Sequence, residues 1–175
     1  MSTRARLGRC AGVGLVGLAL LVSGCNNNKV HLYAKHMSSG QGAILEARQP
    51  AMYEKLYWTS TPVELPADGR LVITFSTMGT VQPVAGVTDM PPVVVQCRLD
   101  NNPCVTLDDA GVQFRFPAES PQGVWSYDTR AYTWVVGNVG RGSHTVDIWG
   151  MFGFPNLAKL ITLTHWSLVV QAFDN

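Results

Sequence analysis

The sequence predicts an all-β fold, an antiparallel β-sandwich, on three observations. From about residue 56 onward, short stretches rich in β-branched and aromatic residues follow one another, several alternating apolar and polar side chains with a period of two. That period is the mark of a half-buried strand. Clusters of Gly, Pro, Asn and Asp punctuate the stretches, as turns between strands require. Helix-forming runs are scarce: the run from Ala43 to Leu56 is interrupted by Pro50, leaving at most a helical turn at Met52–Leu56. Immunoglobulin-like and jelly-roll wiring both fit about seven strands of this kind.

Taken in order, Leu56 to Thr61 reads as a strand ending at Pro62, and Ala67-Asp68-Gly69 as a turn. Leu71 to Thr77 places Leu71, Ile73 and Phe75 on one face. Val93 to Leu99 is a strand, Asp100-Asn101-Asn102-Pro103 a turn, and Cys104 to Leu107 the return strand. Asp108 to Gly111 is the next turn, and Val112 to Phe116 alternates until Pro117. After a loop from Ala118 to Gly123 come strands at Ala131–Val136 and His144–Trp149, with a glycine-rich connection between them. Asn156 to Leu163 is a helical turn or the start of the last strand, which runs through Trp166 to Phe173.

The Asp100-Asn101 turn bears on the cysteines. Asp and Asn tolerate positive φ, so a tight turn there sets Cys97 opposite Cys104, at a separation a disulfide bridges. Closing so short a loop is worth roughly 2–2.5 kcal/mol on chain-entropy grounds. No Cys-x-x-Cys or neighbouring histidine pair supports a zinc site instead.

The first 25 residues have a different character. Arg4, Arg6 and Arg9 give a basic start, Ala11 to Val22 is uninterrupted apolar sequence, and Leu21-Val22-Ser23-Gly24-Cys25 follows. A basic head, a short apolar run and small residues at the end mark a secretory signal. About 12 apolar residues at about 1.5 Å each reach roughly 18 Å, too short for a hydrocarbon core of about 30 Å. The stretch Leu21–Cys25 resembles the bacterial lipobox. The resemblance covers only these residues and implies cleavage before Cys25, acylation of that cysteine and anchoring to a membrane by lipid. Residues 1–24 are then the cleaved leader, and Cys10 leaves with them. Residues 25–42 are a lipidated cysteine and flexible tether, and residues 43–175 are one sandwich domain. Two or three acyl chains make a lasting anchor where one is marginal. Asn26 is not the aspartate that, by the same resemblance, favours the inner membrane. The expected location is therefore extracytoplasmic, at the cell membrane or outer membrane.

Losing the three leader arginines takes Lys+Arg from 13 to 10 against 12 Asp+Glu, a formal charge of −2. There is no basic stripe to engage nucleic acid and no polybasic segment to add a second membrane signal. No cofactor is implied.

Candidate site residues are few. Trp125, Tyr127, Tyr132 and Trp134 could stack on a sugar ring, with Tyr132 and Trp134 on one strand face; alternatively they are core. His31 and His36 fall in or near the tether, where Lys29 to His36 could also be an exposed strand, and read as solvated histidines. His144 and His165 read as rim or hydrogen-bonded positions. A Ser143–His144–Asp147 triad is poor geometry, because adjacent strand residues point to opposite faces. Asp108-Asp109 offers too few carboxylates for calcium. With no Gly-x-Ser-x-Gly or His-Glu-x-x-His, the expected role is non-enzymatic, with a small envelope hydrolase as the remaining alternative. The partner would be a glycan, a small ligand or an envelope protein.

Overall fold

The computed structural model describes residues 30–37, 43–47, 49–56, 59–104, 111–119 and 126–174. Eleven strands build two antiparallel sheets: β1 (Val30–Met37), β2 (Ala43–Glu46), β3 (Glu54–Lys55), β4 (Thr61–Leu65), β5 (Gly69–Pro83), β6 (Val93–Leu99), β7 (Asn102–Pro103), β8 (Val112–Phe114), β9 (Asp128–Val139), β10 (Gly142–Met151) and β11 (Ala158–Asp174). The all-β sandwich expected from the alternation is what the chain forms.

In the first sheet the order is β1-β11-β5-β9, with β2 also on β11. In the second it is β3-β10-β6-β7, with β4 also on β10 and β8 on β6. Short strands share positions. β1 pairs with Trp166–Phe173 and β2 with Leu160–Leu163, so the two run in line along β11. β3 and β4 do the same along β10. Counting each in-line pair once, and the short β7 with β8, gives eight positions. Taken in chain order, the first pairs with the eighth, the second with the seventh, the third with the sixth and the fourth with the fifth. The chain is thus a long antiparallel ribbon rolled into two sheets, which is jelly-roll wiring rather than immunoglobulin-like.

The core lies between the sheets. From β5 it takes Leu71, Ile73, Phe75 and Val81, and from β10 and β6 it takes Val146, Ile148, Val93 and Val95, all fully buried. β11 shows how its alternation is adjusted. Ile161 and Leu163 face inward, and so do Trp166, Leu168, Val170 and Ala172, so inward positions change from odd to even. The register to β5 slips by one residue between Thr164 and Ser167, and His165 there has φ 43°. An extra residue in one strand flips every later side chain to the other face. The bulge makes one 17-residue strand out of segments that looked separate, and Asn156 to Leu163 supplies its start.

Several boundaries differ from expectation. Val30–Met37, assigned to the tether, is a strand paired along its length with β11. Its sequence Val-His-Leu-Tyr lets it fill an open sheet edge, so the sheet begins before residue 43. Met52–Leu56 is not helical: Glu54–Lys55 pairs with Trp149 and Gly150. The strand expected at Leu56–Thr61 lies later, at Thr61–Leu65, with Pro62 inside it. β4 borders a single strand there, and an edge tolerates the missing N–H of proline.

The hairpin between β6 and β7 forms as the turn chemistry requires. Asp100 and Asn101 have φ 50° and 68°, Leu99 pairs with Asn102 and Arg98 with Pro103, and the Cys97–Cys104 disulfide joins the next rung with Cα atoms 5.4 Å apart.

The two ends of the sandwich differ. At one end are three tight turns, at residues 66–68, 100–101 and 140–141, together with the start of β1 and the finish of β11. At the other end are the longer connections, at residues 47–53, 84–92, 115–127 and 152–157.

Candidate functional site

The aromatic stretch is divided by the fold. Trp125 lies outside the described residues. Tyr127 stands just before β9 and is exposed. Tyr132 and Trp134 do share a face, with ring centroids 5.1 Å apart at 67°. They pair with Phe75 and Ile73, so the shared face is the inner one. Trp134 is 5% exposed and belongs to the core, whereas Tyr132 at the sheet edge is 44% exposed. Of the three rings among the described residues, Tyr127 and Tyr132 are the exposed ones, and Trp134 is withdrawn into the core. Cys25 and Asp108-Asp109 lie outside the described residues.

His144 is the best-held titratable group at the turn end. Its Nδ1 is 2.7 Å from Asp100 Oδ2 and its Nε2 is 2.8 Å from Gly140 O. Asp100 Oδ1 accepts the Thr145 N–H at 2.7 Å. Both ring nitrogens thus face acceptors, and only the imidazolium can donate to both. The Asp100 hydrogen bond raises the His144 pKa against the opposing effect of burial, with the Gly140 carbonyl and the charges of Asp100 and Glu64 adding to the rise. For Asp100, burial pushes the carboxyl up, but the His144 and Thr145 hydrogen bonds and the His144 charge prevail and leave it lowered. The imidazole clamps the β6–β7 turn to the β9–β10 turn beside a cleft of about 250 Å³ lined by Leu99, Pro103, Cys104, Val136 and Val139.

Among the described residues, no serine or cysteine side chain is hydrogen-bonded to His144. Ser143 Oγ donates to Glu64 Oε2, away from His144, as the divergence of adjacent strand residues requires. Asp147 is buried in the middle of β10 with its Oδ2 2.8 Å from Lys55 Nζ. The triad residues do not assemble. Among the described residues no group of three His, Cys, Asp or Glu side chains could hold a metal ion. Of the tether histidines, His31 is not a solvated surface residue: it sits on β1, half-buried, with Nε2 3.8 Å from Asp174 Oδ2. The side chain of His36 lies outside the described set. His165 is exposed at the bulge.

A second polar cluster, on the outer face of the second sheet, has no counterpart in the sequence reading. Arg98 lies 4.0 Å over the Trp149 ring and 5.8 Å from that of Tyr53, and its Nε donates to Gln96 Oε1 at 2.8 Å. Asp147, directly across from Arg98, keeps Oδ1 buried without a partner. Removing one partner of a buried ion pair strands the other charge, at a cost of about 3–5 kcal/mol, so the Lys55–Asp147 contact locks the edge strand β3 to β10. The sequence signal was slight: Asp147 alternates with Val146 and Ile148 as any outward polar residue would, and nothing local indicates Lys55.

No family model matches the chain, and no curated protein is similar to it in sequence. Among solved structures, it is similar to one titled as the structure of infectious bursal disease virus, Gx strain, with a TM-score of 0.46, 10% identity, and coverage of 81% of this chain and 32% of that one. It is also similar to a mutant VP2 protein of infectious bursal disease virus in T=1 particles, with a TM-score of 0.43, 8% identity and coverage of 91% and 41%. The chain therefore spans about a third to two fifths of the length of those chains, and likeness at this level says nothing of function. Among the described residues no helix is long and apolar enough to cross a membrane.

Proposed function

We propose that this chain is a lipid-anchored extracytoplasmic lipoprotein whose jelly-roll domain has a binding or structural role in the cell envelope. The observation that carries the reading is Leu21-Val22-Ser23-Gly24-Cys25 at the end of a basic and then apolar leader. The Cys97–Cys104 disulfide supports it, because such bonds persist in oxidising compartments outside the cytoplasm. The triad that the sequence offered does not assemble: His144 has both nitrogens occupied and Ser143 is bound to Glu64. The partner is an envelope protein or a glycan, and a glycan would use Tyr127 and Tyr132.

The test is acylation. Cells expressing the full chain should incorporate labelled palmitate into it and carry it in the membrane fraction, and Cys25→Ser should abolish both. Unchanged labelling in the variant would overturn the anchor.

A further inference from the structure

We propose that the domain stands end-on upon the lipid surface, with its tight-turn end against the headgroups and its long-connection end carried outward. This rests on the anchor reading of Cys25.

The first argument is reach. β1 starts at Val30, five residue steps after Cys25. A fully extended chain covers at most about 3.3–3.6 Å per residue, so Val30 lies within roughly 17 Å of the anchored cysteine. Val30 pairs with Phe173, which pairs with Arg70, and Gly69 pairs with Val139. The end within reach of the membrane is therefore the one with the tight turns, the start of β1 and the finish of β11. β5 spans 15 residues, so the opposite end is about 45 Å further along the strands. The tether is far too short for that end to replace the first.

The second argument is chemical. The near end is polar and carries charges of both signs, with carboxylates in excess of arginines. Arg70 and Arg141 are exposed there with Glu64, Asp68 and Asp100, and Arg141 N donates to Asp68 Oδ1 at 2.8 Å. His31 faces Asp174 and His144 faces Asp100. Of the exposed large hydrophobic side chains among the described residues, Met52, Tyr127, Phe154 and Leu157 are on the long connections, Ile44 and Tyr132 are on β2 and β9, and Val135, on β9 across from Val72, is the one nearest this end. A polar end with carboxylates in excess of arginines suits a hydrated headgroup layer without insertion and without dependence on anionic lipid. The exposed apolar side chains of the far end are then held clear of the bilayer.

Single thiols report the orientation. In the acylated chain the Cys25 sulfur is blocked and Cys97 and Cys104 are paired, so an introduced cysteine is the free one. Gly140→Cys suits the near end, since a Cβ there meets nothing within 4 Å, and Ala85→Cys suits the far end, where Ala85 is exposed. Each full-length lipoprotein would be labelled with a fluorophore and reconstituted in phosphatidylcholine vesicles with headgroup-nitroxide lipid. Because about 45 Å of sheet separates the labels, quenching at residue 140 should exceed that at residue 85 by about threefold or more. Equal quenching, or more at residue 85, in a protein that is acylated and floats with vesicles overturns the orientation while the anchor stands. A chain that takes up no fatty acid and does not float overturns the anchor, and the orientation with it.

Discussion

The two ends of this sandwich are built from different material. The tight-turn end spends few residues on its connections and ties them together: Asp100 and Asn101 hold a positive-φ turn, Cys97–Cys104 closes it, and His144 joins it to the neighbouring turn. The other end has the longer connections, and there Met52 and Phe154 are 59% and 41% exposed. Short closed connections have little conformational freedom to lose and little room to vary, whereas long surface connections tolerate change and commonly carry recognition. The difference teaches that stability and recognition can be assigned to opposite ends of one fold. A lipid anchor at Cys25, as proposed, would enter beside the tight turns and leave the long connections free.

Mutation can break this comparison. The largest effect should come from replacing both Cys97 and Cys104 with alanine. Releasing the closed loop should cost roughly 2.5 kcal/mol, read as a lower urea midpoint at similar slope. A change near zero would mean that the turn chemistry alone holds the hairpin. His144→Gln should cost less, under about 1 kcal/mol, because the Asp100 side of the pair is nearly half exposed and screened by water.

The pH dependence is the sharper signature of the clamp. His144 is raised above the ordinary 6.5, so its contribution is full below 6.5 and is lost as pH rises through the folded value. Asp100 is lowered below the ordinary 3.8, so its contribution is present above 3.8 and is lost as pH falls through the folded value. The stability gap between the parent and His144→Gln should therefore be widest between those two values and narrow in alkali. A gap that stays constant as pH rises would show that the ring acts by packing and not as a charged clamp. At the far end the smallest effect is expected. Phe154→Ser or Leu157→Ser should change stability by no more than about 0.5 kcal/mol in urea denaturation, and a loss of several times that would show that this end is core in all but exposure.

Much of the fold was legible because alternation is local. Leu71, Ile73 and Phe75 announce an inward face wherever the strand sits, and Val93–Leu99 carries its strand complete. The hairpin was legible for the same reason, since Asp100-Asn101 sets the turn and thereby the cysteine separation. The site was less so. Tyr132 and Trp134 were correctly placed on one face, but which face met the core depended on the pairing of β9 with β5, a contact between residues far apart in the chain. Asp147 looked like an ordinary outward residue until the second sheet placed Lys55 beside it.

By itself, then, the sequence determined the all-β class, the tight turns and the disulfide, because each depends on residues close together in the chain. The tertiary structure alone decided the jelly-roll wiring, the strand formed by residues 30–37 and the Lys55–Asp147 pair. Those depend on which strands meet. Strand pairing is set by the burial of whole faces, and one bulge at His165 is enough to exchange the two faces of a strand for the rest of its length.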